Sequence, residues 1–343
     1  MRLNFQQALD WYHTDLLLLG QAAHQTRLAL HPEPMVTYVI DRNINYTNVC
    51  LSGCRFCAFY QAVDSNGSYV LTHEELGRKI RETIELGGTQ ILMQGGMHPR
   101  LSFDYYVDLL RWIKGHFAIH IHGFSPPEIL HMAQISGLSL EKVIATLKEA
   151  GLDSIPGGGA EILSERVRQA ISPKKGSAAD WLKVMETAHG LGLRTTATMM
   201  FGHIETLEER LEHLFALRDL QDRTGGFTAF IPWTFQPGNT DLDLLEVKGV
   251  AYLRMLALSR LVLDNFPNIQ ASWVTQGPKV AQVALFFGAN DLGSTMIEEN
   301  VVAATGVSHR LSLTEMRRLI ETTGYQPCQR DTFYNKVEPS CRN

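Results

Sequence analysis

Three cysteines, Cys50, Cys54 and Cys57, fall within a short stretch at the spacing C-x3-C-x2-C. Thiolates arranged this way in a compact loop turn toward one point, and iron–sulfur cubanes are held by such thiolates, normally four of them. Only three are close together here, since Cys328 and Cys341 lie far away in the C-terminal segment. One iron of a cluster bound by this loop would lack a protein ligand and stay open for chemistry. Two blander readings compete. One is a zinc site of three cysteines and a histidine, although structural zinc usually takes its ligands as two separated pairs. The other is a set of unligated core cysteines, but the neighbours Asn48, Ser52, Gly53 and Arg55 are polar or small, unlike a core strand. Gly53 permits a tight turn, and Phe56 sets an aromatic ring between the second and third cysteines.

Other residues suit a site of the same kind. Gln94-Gly95-Gly96 ends an apolar run, and paired glycines let a ligand approach the backbone closely; an ordinary glycine-rich turn is the alternative. Glu161 follows Gly157-Gly158-Gly159-Ala160, three consecutive glycines that are costly in chain entropy for a mere turn. Its carboxylate suits the hydroxyls or ammonium of a cofactor, or else the positive end of a following helix. His120 and His122 alternate with isoleucines, so in a strand both imidazoles project to one side, toward a substrate or into interior hydrogen bonds. His203, Glu205 and Asp291 are the candidates for acid–base catalysis. Against that role, Glu205 immediately precedes the capping residue Thr206, and Asn290 and Asp291 suit a turn for backbone reasons. Trp233, Phe235 and Trp273, at the ends of late apolar runs, either stack on substrate rings or pack a barrel. No phosphate-loop, Ser-His-Asp or H-E-x-x-H motif is present.

The elements that must position these residues alternate between short apolar strands and amphipathic helices, the pattern of parallel βα units. The predicted strands are Asn43–Asn48, Thr89–Gln94, Ala118–His122, Ser154–Pro156, Arg194–Met200, Phe227–Pro232, Ile269–Val274 and Ala284–Gly288. Thr72 with Glu75, Ser125 with Glu128 and Thr206 with Glu209 have capping-box spacing at helix starts. The expected fold is an α/β protein, a (β/α)8 TIM-type barrel. Residues 1–35 form a helical N-terminal segment, 36–304 the barrel, and 305–343 a short C-terminal extension with one helix over 312–323, read as packing or capping material. In such a barrel the loops after the strands share one face, which carries the chemistry. The loops 50–57, 94–96, 123–125, 157–161, 201–206, 233–237 and 288–293 are therefore predicted to cluster.

The chain has 343 residues, 45% of them hydrophobic and 20% charged, an ordinary globular balance. Lys and Arg number 31 against 36 acidic residues, net −5, so no basic field exists to hold nucleic acid. The longest aliphatic run near the N-terminus, Leu16 to Leu19, is far short of the ~20 residues that span a bilayer. Asp10, His13 and Asp15 break any secretory signal pattern. Five cysteines, three of them clustered, match ligation in a reducing compartment better than a secreted disulfide framework, so a cytoplasmic protein is expected.

The cysteine spacing, followed by Ala58-Phe59-Tyr60, resembles the signature of the radical S-adenosylmethionine superfamily. The segment from Asp41 to Asn48, Gln94-Gly95-Gly96 and Ser125-Pro126-Pro127-Glu128 resemble its menaquinone and deazaflavin branch. Ser154 to Glu161, Thr195 to His203, Phe230 to Pro237, Ala271 to Gly277 and Gly288 to Asp291 are most similar to the cyclic dehypoxanthine futalosine synthase family. The similarity covers roughly residues 35 to 305. Gly123 and Gln61 depart from the family pattern, and neither is a cluster ligand. The resemblance implies a [4Fe-4S] cluster on Cys50, Cys54 and Cys57 and S-adenosyl-L-methionine on its free iron. Phe56, Gln94, Gly95, Gly96, Ser125 and Glu161 are then the cofactor-binding residues. It further implies a 5′-deoxyadenosyl radical that takes a ribose hydrogen from dehypoxanthine futalosine. The sugar radical attacks the benzoate ring, and loss of an electron and a proton restores aromaticity. A reduced flavodoxin or ferredoxin-type protein would donate the electron. Aminofutalosine synthase and the tyrosine-using half of deazaflavin synthase are the sister activities that share this pattern.

Overall fold

The N-terminal stretch forms two helices, α1 (Phe5–His13) and α2 (Leu16–Leu30), where the sequence predicts one helical stretch over 5–30. Asp15 parts them, its carboxylate accepting the Leu17 and Leu18 N–H groups at 2.9 and 3.2 Å to cap α2. The computed structural model describes residues 2–307 and 309–337; Cys341 lies outside them.

Strands β1 (Met35–Val39) and β2 (Asp41–Ile44) are consecutive halves of one extended run. β2 begins a seven-stranded parallel sheet that proceeds in chain order through β3 (Gln90–Met93), β4 (His120–Gly123), β5 (Ser154–Ile155), β6 (Arg194–Phe201), β7 (Phe227–Thr234) and β8 (Asn268–Ile269). Parallel strands need long crossovers. These contain α3 (His73–Glu85), α4 (Phe103–His116), α5 (Pro126–Ser136), α6 (Leu140–Ala150), α7 (Glu165–Ile171), α8 (Ala178–Gly190), α9 (Leu207–Thr224) and α10 (Gly249–Val262). Helix α11 (Trp273–Ala284) leads to β9 (Asp291–Ser294), which bridges back at Asp291 to Gln270 and pairs in parallel with β1. With β1 and β2 counted as one strand, the wall is the TIM-like barrel that the alternation predicts. Ile44, Ile91, Ile121, Ile155, Ala197 and Ile269 on its strands are fully buried. Each large apolar side chain so buried contributes about 1.5–3 kcal/mol.

The three predicted capping boxes open α3, α5 and α9. Helix α12 (Leu313–Glu321) is capped by Ser312, inside the predicted span. The eighth strand is not where the sequence suggests. Ala284–Gly288 instead ends α11 and turns, because a short apolar run fits the buried end of a helix as well as it fits a strand. The strand is β9, so the 288–293 segment leads into it and lies at the base of the barrel, not on the active face. β1 and β10 (Gln326–Gln329), which pair over Met35–Tyr38, fall in segments with no predicted strand. Among the described residues, no helix is long and apolar enough to cross a membrane.

Candidate active site

The cysteine loop leaves β2 at the C-terminal face of the barrel and is tied down by its backbone. Cys50 N–H donates to Gln61 O (3.1 Å), Leu51 N–H to Met97 O (3.0 Å), Arg55 N–H to Ile171 O (2.9 Å), and Asp241 N–H to Arg55 O (2.8 Å). Asn48 fixes the neighbouring turn, its amide donating to Gly67 O and its oxygen accepting from Tyr69 N–H, both at 2.9 Å. All three cysteines are free, and all line one chamber of about 200 Å³. The Ser52 hydroxyl sits 2.8 Å from Cys54 Sγ. Burial pushes all three thiols up, while the Lys175 ammonium opposes this, so ligation by a metal would release their protons. Among the described residues, no three His, Cys, Asp or Glu side chains converge closely enough to share one ion. A tetrahedral zinc would need its thiolates only about 3.8 Å apart. Three soft thiolate donors facing one chamber, with no fourth protein ligand in the loop, fit a polynuclear cluster with an open iron.

The backbone at the end of β3 is drawn in against this loop. A side chain at Gly95 would come 2.5 Å from the Tyr46 ring, and one at Gly96 would overlap the Val49 carbonyl and lie 2.7 Å from Cys50 Cβ. Glu128 locks the arrangement. Its carboxylate accepts from Gly95 N–H (3.0 Å), Tyr46 OH (2.6 Å), Ser125 N–H (2.8 Å) and Ser125 OH (2.6 Å), and it is buried. Glu161 takes a left-handed backbone, φ 44°, which costs a non-glycine residue about 1–3 kcal/mol. Its carboxylate meets Lys175 Nζ at 2.7 Å, and the same ammonium lies 4.8 Å from the centre of the Phe56 ring. Burial works against the charge of Lys175, but Cys54 and Glu161 outweigh it and hold the group protonated. Phe56, Gln94, Gly95, Gly96, Ser125 and Glu161 all line the cysteine chamber.

A second chamber of about 270 Å³ lies within the barrel, and Gln94, Gly158, Trp233 and Val301 line both, forming the neck between them. Its wall carries Asn43, whose carboxamide oxygen has no protein partner, together with His122, Trp273 and Arg330. Asp41, also in the wall, is pushed up by burial, against hydrogen bonds from Ser294 and Gln90. The His122 Nδ1 and His120 Nε2 atoms each lie 2.7 Å from Ser154 Oγ. Burial, His120 and Arg330 push His122 down to about 3, so its ring is neutral. Phe235 is buried and packs edge-on to the His203 ring.

The structure does not bring His203, Glu205 and Asp291 to either chamber. His203 and Glu205 have fully buried side chains 3.0 Å apart, and Glu205 also meets Arg210 at 2.6 Å and the Gly202 and His203 N–H groups. Burial raises the Glu205 carboxyl, but His203, Arg210 and Gly202 outweigh it and bring it to about 2. A depressed carboxylate stabilises the fold above its unfolded value, near 4.3, and loses that contribution as the pH falls toward 2. Glu205→Gln is therefore expected to cost roughly 2–3 kcal/mol at pH 7. The gap between the variant and wild-type unfolding curves should shrink below pH 4 and close only toward pH 2, with cluster content at pH 7 unchanged. Asp291 is fully buried at the base, where it pairs with Arg330 at 2.6 and 3.0 Å and accepts from Thr37 OH at 2.5 Å. Its displacement follows from the register of β9, since it starts that strand and does not follow one.

Sequence reasoning did not find Lys175, Glu128 as an anchor, or Arg330. Lys175 sits in Pro173-Lys174-Lys175-Gly176, which reads as a solvated turn, and Glu128 signalled only a cap. Arg330 lies in the extension read as packing, yet with Thr332 and Tyr334 it lines the inner chamber.

The Radical SAM superfamily pattern matches residues 44–217, and the CofH/MqnC C-terminal region matches 224–341. The chain is 49% identical over 339 residues to the cyclic dehypoxanthine futalosine synthase of Halalkalibacterium halodurans, covering 98% of this chain and 92% of the relative. It is 43% identical to the aminodeoxyfutalosine synthase of Thermus thermophilus, over 98% of this chain and 92% of that one. Its fold superposes on the crystal structure of methylornithine synthase with a TM-score of 0.73 at 18% identity, covering 95% and 94% of the two chains. With the cysteine loop placed on the active face of the barrel, these matches establish that the chain belongs to the radical SAM superfamily of enzymes, which work with a [4Fe-4S] cluster and S-adenosylmethionine.

Proposed function

We propose that this chain is a radical cyclase that converts dehypoxanthine futalosine to cyclic dehypoxanthine futalosine in menaquinone biosynthesis. The observation that carries this reading is the alignment at 49% identity, across 98% of the chain, with a cyclic dehypoxanthine futalosine synthase, against 43% for an aminodeoxyfutalosine synthase. Cys50, Cys54 and Cys57 hold the cluster, and Phe56, Gln94, Gly95, Gly96, Ser125 and Glu161 receive S-adenosylmethionine. The bound cofactors supply a 5′-deoxyadenosyl radical in the cysteine chamber.

The chain's own residues divide the remaining work. Glu128 fixes the Gln94–Gly96 backbone against the cysteine loop, and the neck at Trp233 and Val301 leads from the radical to the inner chamber. There the substrate lies with its ribose toward the neck and its benzoate deeper, where Arg330 is the one Lys or Arg in the wall among the described residues. The enclosing barrel excludes water, which protects a reactive radical. In this reading His203, Glu205 and Asp291 support the barrel and do not touch the substrate. A reduced flavodoxin or ferredoxin-type protein in the cytoplasm supplies the electron.

Incubation of the reduced, reconstituted protein with S-adenosylmethionine and dehypoxanthine futalosine should give 5′-deoxyadenosine and a cyclised product. That product keeps every carbon and has two hydrogens fewer than the substrate, as read by mass spectrometry. Turnover only with the substrates of aminodeoxyfutalosine synthase, or only with tyrosine, would overturn the assignment.

A further inference from the structure

One polar device joins the inner chamber to the base of the barrel. His120 and His122 stand two residues apart on β4 and reach the same hydroxyl, Ser154 Oγ on β5, each at 2.7 Å. A single hydroxyl has one proton to donate and lone pairs to accept with, so it serves two imidazoles by donating to one and accepting from the other. His122 lines the substrate chamber. Its other nitrogen, Nε2, has only a long contact of 3.4 Å to Thr196 Oγ, whose oxygen already accepts the Gly157 N–H at 3.0 Å. His120 lies at the start of β4, half-buried, with its ring edge-on to the exposed Phe333 at 5.1 Å. Phe333 lines a separate cavity of about 830 Å³ at the base of the barrel. The three side chains thus form a continuous hydrogen-bonded line from the substrate chamber toward the base.

We propose that His122 Nε2 is the base that takes the proton released when the cyclised ring becomes aromatic, and that Ser154 and His120 carry this proton out through the base of the barrel. The inference rests on the cyclase reading. In the step itself the ring C–H bond breaks, its electron pair stays in the ring, and the proton bonds to Nε2. The imidazolium then passes its Nδ1 proton to Ser154 Oγ while the hydroxyl proton moves to His120 Nε2, so no net charge stays in the chamber. The surplus electron of the ring leaves in the same event to a one-electron acceptor, the class to which an oxidised iron–sulfur cluster belongs. Its departure makes the ring C–H strongly acidic, so with the two losses coupled a neutral and weakly basic imidazole suffices as the proton acceptor. The outward direction has an electrostatic cause. Burial opposes a positive charge on both rings; at His122 the neighbours His120 and Arg330 add to that opposition, whereas at His120 Asp153 and Asp331 partly offset it against Lys114.

The relay requires the Nδ1–H tautomer of His122 at rest, which ¹⁵N-histidine NMR of the cluster-free protein reads directly; Ser154→Ala should then shift the resonances of both rings. In the loaded enzyme, His122→Gln is expected to lower cyclised product about 100-fold. Substrate-dependent 5′-deoxyadenosine should fall less than threefold, and an organic radical should accumulate in freeze-quenched electron paramagnetic resonance spectra. Ser154→Ala should slow product about tenfold and straighten a proton inventory that is curved in the wild type. A wild type that forms no cyclised product contradicts the cyclase reading. A cyclising wild type with His122 as the Nε2–H tautomer, or with product from His122→Gln within threefold of normal, overturns the relay alone. The tautomer measurement needs no variant, so it decides the matter even where His122→Gln does not fold.

Discussion

Replacing Cys50, Cys54 and Cys57 together by alanine is expected to leave a folded protein that holds no iron or sulfide and forms no detectable 5′-deoxyadenosine. The wild type, reconstituted anaerobically, should hold about four irons per chain. The fold should survive because the cysteines sit in a loop secured by backbone hydrogen bonds to Gln61, Met97, Ile171 and Asp241. The barrel core at Ile44, Ile91, Ile121 and Ile155 is untouched. Among the described residues no other thiolate can replace them, since Cys328 is the other free cysteine there and lies on β10 at the base. Iron and sulfide assays with circular dichroism separate loss of the cluster from loss of the fold. One zinc per chain without sulfide in the wild type would support the rival structural-zinc reading.

The second large effect is expected from a single methyl group. In Gly96→Ala the new Cβ would overlap the Val49 carbonyl and stand 2.7 Å from Cys50 Cβ. The Val49 carbonyl is backbone and cannot swing aside as a long side chain would, so the β3 end and the cysteine loop must move apart. Overpacking of this kind costs about 1–3 kcal/mol, which corresponds to a change of roughly 5- to 150-fold in an equilibrium. Because the strain falls on the cluster loop itself, iron content should drop below half of wild type, and S-adenosylmethionine binding should weaken by one to two orders of magnitude. Gly115, on α4, is the control, because a Cβ added there would meet nothing within 4 Å. Gly115→Ala should leave both quantities unchanged.

The sequence revealed most of the barrel because its signals are local. Capping pairs such as Thr206 with Glu209 act over three residues, and strands such as the predicted Arg194–Met200, observed as Arg194–Phe201, are read from their own composition. The cysteine loop was legible for the same reason, as three ligands in one short segment. What escaped depends on distance along the chain. Arg330 meets Asp291 only after the extension has added β10 to the far edge of β1. Lys175 becomes a buried cation only because Glu161 and the cysteine loop close over it. The placement of β9 shows a different difficulty: Ala284-Leu285-Phe286-Phe287 carries no periodicity long enough to separate a strand from the last turn of a helix. That one ambiguity moved Asp291 from the base to the active face in the sequence reading, and with it a catalytic expectation. Glu205 illustrates a third case, in which a buried acid beside a helix cap is held by Arg210 and His203 and lines neither of the two chambers.

The central claim is that a substrate ribose in the inner chamber lies against the radical formed above the cysteine loop. Dehypoxanthine futalosine deuterated throughout its ribose tests this directly, with the 5′-deoxyadenosine from a single turnover read by mass spectrometry. One deuterium per 5′-deoxyadenosine, with cyclised product in equal amount, is the predicted result. Cyclised product beside deuterium-free 5′-deoxyadenosine would contradict the account.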